Sequence, residues 1–172
     1  MSGGPAAAVL AELQRRSETL ATAESLTGGL VGHRLTSVPG ASACYLGGVI
    51  SYATRLKSTL AGVDPTTLAE HGPVDARTAA EMAIGVCRTC QADWGLATTG
   101  VAGPDPQDGH PAGEVYVAVA HPADGFVRVE ALRLSGDRQA IRDAAATGAL
   151  ALLLSGLDML DGSPIADSPI ET

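Results

Sequence analysis

The sequence predicts an α/β fold, a three-layer α/β/α sandwich with a mixed sheet, a C-terminal antiparallel hairpin and a final helix. Short apolar runs of strand character alternate with helical patterns early in the chain, and two alternating runs joined by a Pro/Gly turn follow later. The composition is 45% hydrophobic but only 3% aromatic, so Ala, Leu and Val fill the core, which favours close helix-on-sheet packing. We expect one domain over residues 1–157 and a flexible acidic tail over residues 158–172.

Each element is predicted from its own pattern. Strands are expected at residues 19–23, 44–52, 95–100, 114–120 and 126–134, where β-branched, aromatic or alternating residues cluster. Paired glycines at 47 and 48 indicate a bulge or a close backbone approach. Helices are expected at residues 5–16, 30–35, 53–61, 76–91 and 138–155, with a short one after Asp64. Asp64 and Asp75 are the predicted N-caps of the two helices that they precede.

Charge and hydropathy restrict the function classes. The formal net charge is −8, from 11 basic and 19 acidic residues, which argues against nonspecific nucleic-acid binding. We find no run of about 18 apolar residues and no basic secretory start, so we expect a cytoplasmic protein that does not enter the membrane.

The three cysteines are Cys44, Cys87 and Cys90, and an odd number in a cytoplasmic chain argues against a disulfide framework. The C-x-x-C spacing of Cys87 and Cys90 is also found in zinc and redox sites. No second pair or nearby histidine completes such a site, and on a helix this spacing places both thiols on one face. We therefore favour buried free thiols and no metal.

The turn at residues 22–29 (TAESLTGG) joins the first predicted strand to the next helix. Polar residues and paired glycines at such a junction present backbone N–H groups to an anion. Ser25 lies inside this turn and is a candidate nucleophile. The alternative is an ordinary helix cap, since the flanking residues do not form a G-x-S-x-G elbow.

Lys57 is the single lysine of a chain with ten arginines. Arginine stays protonated, whereas a desolvated lysine loses its proton near neutral pH, so Lys57 is a candidate general base. The alternative is a stray lysine on a surface helix. The histidines are scattered, which gives a Ser–His–Asp triad little support, and a Ser–Lys pair needs no histidine.

Four short motifs occur in order: residues 24–29 (ESLTGG), 51–57 (SYATRLK), 99–104 (TGVAGP) and 135–138 (SGDR). With residues 39–42 (PGAS) and 81–84 (EMAI), they resemble the CinA C-terminal domain family over roughly residues 5–157. Its enzymatically active members are nicotinamide-nucleotide amidohydrolases. The chain resembles the stand-alone form, without the larger domain similar to molybdopterin-binding proteins that many CinA proteins carry.

The resemblance implies hydrolysis of nicotinamide mononucleotide (NMN) to nicotinate mononucleotide and ammonia, with no metal or other cofactor. Ser25 would attack the carboxamide carbon, and Lys57 would take the hydroxyl proton and deliver it to the departing ammonia. We assign the oxyanion hole to backbone N–H groups around Thr27, Gly28 and Gly29.

Other motif residues receive expected roles from the same resemblance. Tyr52 would orient Lys57 or Ser25, its alternative being an aromatic packed at a strand end. Thr99 and Gly100 would contact the ring or ribose of the substrate. Arg138 lies at a helix N-terminus, where its guanidinium and the helix dipole would hold the 5′-phosphate.

Three further residues each have two candidate roles. Arg142 either assists Arg138 at the phosphate or is an exposed helical arginine. Asp105 and Asp108 lie in a long Gly/Pro-rich loop, where they form turns or line the mouth of the site.

Two other function classes stay open at this point. One is a nucleotide-binding or regulatory module without turnover, consistent with the Gly-rich loops and the family's link to competence and DNA damage. The other is a redox or zinc role for Cys87 and Cys90. A homodimer or a higher homo-oligomer is the expected assembly, since the chain is small and its helices are apolar.

Overall fold

The computed structural model describes residues 4–161 and contains a five-stranded mixed sheet in the order β2-β1-β3-β4-β5. The first three strands in this order are parallel, β4 is antiparallel to β3, and β5 forms an antiparallel hairpin with β4. The predicted mixed sheet and hairpin are therefore confirmed. The strands are β1 (Leu20–Glu24), β2 (Tyr45–Ile50), β3 (Trp94–Gly100), β4 (Glu114–His121) and β5 (Phe126–Arg133).

Within residues 4–161 there are six α-helices, and Asp64 and Asp75 cap two of them as predicted. The final helix extends beyond its predicted end at residue 155, because Leu157 is buried in the core and Asp161 pairs with Arg16 at 2.9 Å. Residues 158–161 of the expected tail are thus helical, and residues 162–172 lie outside the described residues. The helices are α1 (Pro5–Arg16), α2 (Leu30–Thr36), α3 (Thr54–Thr59), α4 (Pro65–His71), α5 (Ala76–Cys90) and α6 (Arg138–Asp161).

The two faces of the sheet bury side chains of different size. Toward α1, α2 and α6 the strands present large residues such as Leu20, Leu96 and Val117. Toward α5 they present alanines, and a Cβ atom at Gly95 would lie only 1.9 Å from the carbonyl oxygen of Ala83. The expected close packing of a helix on the sheet is therefore found on the α5 face.

Helix α6 is long and apolar enough to cross a membrane if length and composition alone are considered, with a hydropathy of 1.4 over its best window. In this fold it lies against the sheet, and its Leu150, Leu153 and Leu157 are fully buried. The core helix of a globular domain has the same properties.

The carboxyl ends of the parallel strands β2, β1 and β3 meet at one edge of the sheet. Gly48 allows β2 to approach β1 closely, because a Cβ atom there would lie 2.2 Å from the carbonyl oxygen of Thr22. A register shift after Leu20 accompanies this approach, which confirms the irregularity predicted at the paired glycines. Ligand sites of open α/β sheets form beyond such strand ends.

Candidate active site

A cleft with a cavity volume of about 90 Å³ lies beyond these strand ends. Its walls come from the turn after β1, from the start of α3, from the loop after β3 and from the start of α6. It thus brings together residues from all four of the motif regions singled out in the sequence. The lining includes Ser25, Leu26, Tyr52, Lys57, Pro73, Thr99, Gly100, Gly103, Asp105 and Arg138.

Ser25 and Lys57 form a hydrogen-bonded pair on the floor of the cleft. The Lys57 Nζ atom lies 2.9 Å from the Ser25 Oγ atom and 2.9 Å from the Ser51 carbonyl oxygen. Only 6% of Ser25 and 2% of Lys57 is exposed to solvent. The structure therefore joins the two residues that the sequence proposed as nucleophile and base, and it rules out the surface-lysine alternative.

Burial lowers the pKa of Lys57 from 10.5 to about 8. No carboxylate within residues 4–161 forms an ion pair with its amine, so desolvation is unopposed. At pH 7 a pKa of about 8 leaves about 10% of the amine neutral, against roughly 0.03% for an unperturbed lysine. This difference, roughly 300-fold, is the gain in available base. A neutral amine can donate to the Ser51 carbonyl and accept the Ser25 hydroxyl proton.

The path of the chain after β2 explains why Lys57 reaches Ser25. The Ser51 N–H group donates to the Glu24 carbonyl oxygen at 2.8 Å, which continues the pairing of β2 with β1 beyond the last strand residue. An extended Ala53 then starts α3, and one turn of this helix returns Lys57 over the end of β1. The dyad therefore depends on strand pairing that sequence spacing alone does not reveal.

The carboxylate of Glu24 lies at the start of α2, where the sequence predicted that backbone N–H groups would bind an anion. Its buried carboxylate accepts hydrogen bonds from the backbone N–H groups of Gly29, Val31 and Gly32 at 2.8–3.1 Å. This role was not predicted from the sequence, although an acid directly before a Gly-rich helix start is a recognisable signal. The helix terminus therefore binds an anion from the protein itself.

This arrangement corrects the predicted oxyanion hole. The Gly29 N–H group donates to Glu24, and the Gly28 N–H group donates to the Ser25 carbonyl oxygen at 3.0 Å. Both groups are therefore engaged, and the prediction that they bind an oxyanion is wrong. Gly28 and Gly29 instead supply the positive φ angles, +58° and +98°, that let the chain turn into α2.

The N–H groups of Leu26 and Thr27 remain as candidate oxyanion donors. Within the described residues, neither donates to a backbone carbonyl. Leu26 directly follows Ser25 and lines the cleft, and the residue after the nucleophile supplies an oxyanion donor in α/β-hydrolases. Thr27 is fully buried and does not line the cleft, and its hydroxyl pairs with that of Thr98 at 2.8 Å. Leu26 is therefore the stronger candidate of the two.

Arg142 contacts the same turn from α6. Its Nε atom donates to the Leu26 carbonyl oxygen at 3.1 Å, and its Nη2 atom donates to the Thr27 carbonyl oxygen at 2.9 Å. The side chain is not part of the cleft lining. Neither sequence expectation holds, because Arg142 is neither beside Arg138 at the cleft nor free in solvent.

Tyr52 and Arg138 lie together at the rim of the cleft. The Arg138 guanidinium donates to the Tyr52 hydroxyl and to the Gly103 carbonyl oxygen, both at 2.9 Å. Tyr52 is 60% exposed, and its hydroxyl bonds to Arg138 instead of Ser25 or Lys57. The expectation that Tyr52 orients the reacting pair is therefore wrong, because the chain leaves β2 with this ring facing the rim.

The start of α6 differs from the expected phosphate site in one respect. The Asp137 carboxylate accepts the Ala140 N–H group at 2.8 Å and caps the helix. Because this places negative charge at the terminus, the helix dipole no longer favours a phosphate there. Arg138 is the cationic side chain that lines the cleft at this point.

The remaining predicted residues form the walls. Thr99 is buried and donates its hydroxyl to the Pro73 carbonyl oxygen at 2.5 Å, so only its oxygen lone pairs are available to a ligand. Gly100 and Asp105 line the cleft. Asp108 has a φ angle of +50° and serves as a turn residue of the loop. Of the two aspartates, Asp105 thus lies at the cleft and Asp108 forms a turn.

The cysteines lie away from the cleft, and all three are free thiols. Burial raises the pKa of Cys87 to about 12, so its reactive thiolate is strongly disfavoured. Cys90 is half-buried beside it on α5. Residues 4–161 contain no group of three side chains placed to bind a metal ion.

Comparisons with known proteins match this chain over most of its length. A sequence model of the CinA C-terminal domain covers residues 4–157. The chain is 53% identical over 152 residues to a CinA-like protein of Frankia casuarinae, a match covering 87% of this chain and 35% of that protein. It is 42% identical over 162 residues to a CinA-like protein of Myxococcus xanthus, covering 92% and 38%. The chain thus spans little more than a third of these relatives.

Solved structures match it over nearly their whole chains. The competence/damage inducible protein CihA from Agrobacterium tumefaciens superposes with a TM-score of 0.84 at 32% identity, covering 88% of this chain and 93% of that one. A CinA superfamily protein from Klebsiella pneumoniae gives a TM-score of 0.85 at 32% identity, covering 90% and 96%.

Proposed function

This chain belongs to the CinA C-terminal domain family, and we propose that it hydrolyses the carboxamide of NMN to nicotinate mononucleotide and ammonia. The observation that carries the proposal is the buried Ser25–Lys57 pair at 2.9 Å on the floor of an open cleft. A neutral lysine beside a serine hydroxyl is the arrangement that activates serine without histidine.

In the first step, the neutral Lys57 amine removes the Ser25 hydroxyl proton while the Oγ atom attacks the carboxamide carbon. The electron pair of the C=O bond moves to oxygen and gives a tetrahedral oxyanion, which the N–H group of Leu26 stabilises. When the carbonyl re-forms, the C–N bond breaks, and the amide nitrogen takes the proton from Lys57. Ammonia leaves, and an ester to Ser25 remains.

In the second step, the same lysine activates water. Lys57 takes a proton from a water molecule, the hydroxide adds to the ester carbon, and a second oxyanion forms in the same place. Its collapse expels the Ser25 oxygen, which recovers the proton from Lys57. One water is consumed for each ammonia released, and both catalytic side chains return to their starting protonation states.

The shape and charge of the cleft support a mononucleotide substrate. The reacting carboxamide would lie on the floor beside Ser25, and the 5′-phosphate would lie at the rim beside Arg138. A guanidinium binds phosphate oxygens through two parallel hydrogen bonds. The hydrogen bonds of Arg138 to Tyr52 and Gly103 hold it at the rim before substrate arrives.

Ammonia release by the purified protein tests the proposal. NMN should yield stoichiometric ammonia and nicotinate mononucleotide, whereas nicotinamide, which lacks the phosphate, should react poorly. Ser25→Ala should abolish the reaction, and Ser37→Ala is the matched control, because that serine caps the end of α2 through the His33 carbonyl. If Ser25→Ala releases ammonia as fast as the unaltered chain, Ser25 is not the nucleophile.

The same assay distinguishes the proposed hydrolase from the main alternative, a nucleotide-binding or regulatory module without turnover. The Agrobacterium structure is named for competence and damage induction, and such a role needs no turnover. Saturable NMN binding without ammonia release would favour it. We further propose a cytoplasmic homodimer that binds no nucleic acid, which light scattering of the purified protein and a DNA-binding assay would test.

A further inference from the structure

The Ser25 turn is held from both ends by charged side chains that do not line the cleft floor. Glu24 binds the N–H groups on the α2 side, at Gly29, Val31 and Gly32. Arg142 binds the carbonyl oxygens on the other side, at Leu26 and Thr27. The turn between these contacts contains the nucleophile and the two N–H groups that have no backbone acceptor.

Peptide planarity connects the Arg142 contacts to the direction of the N–H groups. In a trans peptide unit the C=O and N–H bonds point in opposite directions. The carbonyl of Leu26 and the N–H of Thr27 belong to one such unit, so Arg142 fixes that N–H group when it binds that carbonyl. A cation on the carbonyl also polarises the unit and strengthens its N–H as a donor.

The second Arg142 contact fixes the next peptide unit. Its Nη2 atom binds the Thr27 carbonyl, whose unit contains the Gly28 N–H group that donates to the Ser25 carbonyl. The Ser25 carbonyl in turn shares a peptide unit with the Leu26 N–H group. Arg142 and the Gly28 hydrogen bond together hold three consecutive peptide units, and these units include both candidate oxyanion donors.

We propose that Arg142 is a positioning residue that holds the peptide units of Leu26 and Thr27 so that the Leu26 N–H group points toward the oxyanion. The inference rests on the proposed function, since it assigns a role within the same Ser25 reaction. Arg142 acts on the peptide units, and Arg138 is the residue that meets the phosphate. The two arginines, one helical turn apart, thus have different tasks.

A second phosphate contact is the competing role for Arg142, and the geometry disfavours it. Its three guanidinium nitrogens already donate to the carbonyls of Leu26 and Thr27 and to the Gln139 side chain. Its side chain is absent from the cleft lining. A phosphate ligand would have to reach the two guanidinium N–H groups that these contacts leave, from a cleft whose lining does not include Arg142.

Steady-state kinetics of Arg142→Ala and Arg142→Lys test the inference. Because a misplaced catalytic group costs about 10²-fold in rate, Arg142→Ala should lose about 10²-fold in kcat with little change in KM. Arg142→Lys, which reaches one carbonyl as a point charge, should lose less. Added guanidinium, at concentrations that leave the melting temperature unchanged, should restore part of the kcat of Arg142→Ala.

Arg34→Ala is the matched control. Arg34 also joins two elements, since it bonds Asp143 and Thr147 of α6 from α2, but it contacts no carbonyl of the Ser25 turn. It should keep its kcat and show no response to guanidinium. A rise in KM of Arg142→Ala at constant kcat would overturn the inference in favour of a phosphate contact, and an unchanged kcat and KM would also overturn it.

A substrate-independent readout separates this inference from the proposed function. A fluorophosphonate that labels Ser25 places a phosphoryl oxygen where the oxyanion forms, so Arg142→Ala should be labelled more slowly than Arg34→Ala. If the unaltered chain is labelled but releases no ammonia from NMN, the proposed substrate fails and the Arg142 inference stands on the labelling rates. Equal labelling rates of Arg142→Ala and the unaltered chain, or no labelling of Ser25 at all, would overturn it.

Discussion

The floor and the rim of the cleft place cationic side chains in opposite environments. On the floor, Lys57 is 2% exposed, and within residues 4–161 its amine hydrogen-bonds only to the Ser25 hydroxyl and the Ser51 carbonyl oxygen. At the rim, Arg138 is exposed and shares its guanidinium between Tyr52 and a backbone carbonyl. The floor therefore lowers the pKa of its cation, whereas the rim carries a permanently charged guanidinium.

Residue chemistry explains why each cation lies where it does. Burial disfavours the charged form, and lysine responds by releasing its proton, whereas arginine remains protonated. The proposed reaction needs a base on the floor and a permanent cation at the rim. The one lysine of a chain rich in arginine thus lies at the position where arginine would fail.

Substitution of Lys57 should give the largest effect. Loss of a positioned general base typically costs about 10²–10⁴ in rate, so Lys57→Met should lose that much in kcat. Lys57→Arg should lose as much, because it keeps the charge but cannot become neutral. Initial rates of ammonia release provide the measurement. A Lys57→Arg variant as active as the unaltered chain would show that the floor needs only positive charge.

The pH dependence should show the lowered pKa of Lys57. Below its pKa of about 8, kcat/KM should rise about tenfold for each pH unit, because only the neutral amine accepts the Ser25 proton. Above that pH the rate should level off. The profile is measured from pH 6 to 10, with Arg138→Gln as the control that keeps this limb. A flat profile would contradict Lys57 as the base.

The same buried amine should reduce stability at neutral pH. The folded pKa of about 8 lies below the unfolded value of 10.5, so between these values the unfolded chain binds more protons and stability increases with pH. Below pH 8 the full penalty applies. Lys57→Met should therefore stabilise the fold at pH 7 by about 1–3 kcal/mol, with less gain near pH 10. Urea unfolding at pH 7 and pH 10 measures the free energy of unfolding of both chains. A Lys57→Met variant that is less stable than the unaltered chain at pH 7 would contradict the prediction.

Substitution at the rim should change binding and leave chemistry intact. Removing a charge-assisted hydrogen-bonding group costs about 1.5–3 kcal/mol, so Arg138→Gln should raise the KM for NMN about 10–100-fold. Its kcat should stay within about threefold of the unaltered value. Arg128→Gln, on β5 and bonded to Ser155, is the control. A fall in kcat at unchanged KM would place Arg138 in the chemistry.

The smallest effect is expected at Tyr52, whose hydroxyl supports Arg138. Loss of one such hydrogen bond costs about 0.5–1.5 kcal/mol, so Tyr52→Phe should raise KM about 2–10-fold at constant kcat. The effect should vanish in the Arg138→Gln background, because the supported residue is then absent. A fall in kcat alone would restore the orienting role that the sequence suggested for Tyr52.

The sequence by itself determined the fold class and the candidate Ser25–Lys57 pair. Strand and helix patterns predicted the mixed sheet and its hairpin, and the family resemblance of the motifs is confirmed. The single lysine of an arginine-rich chain made Lys57 a candidate base, the Gly-rich turn made Ser25 a candidate nucleophile, and the family resemblance joined the two. The end of α6 was missed, because its last turn is held by long-range contacts of Leu157 and Asp161.

Only the tertiary structure decided which polar groups of the motifs are free. Gly28 and Gly29 looked like oxyanion donors, but Ser25 and Glu24 already accept their N–H groups. Tyr52 was expected to orient Ser25 or Lys57, but its hydroxyl accepts a hydrogen bond from Arg138 at the rim. Arg142, in contrast, binds the Ser25 turn directly, because the packing of α6 brings it to the Leu26 carbonyl. A motif specifies the residues present, whereas hydrogen-bond satisfaction depends on distances set by every neighbouring element.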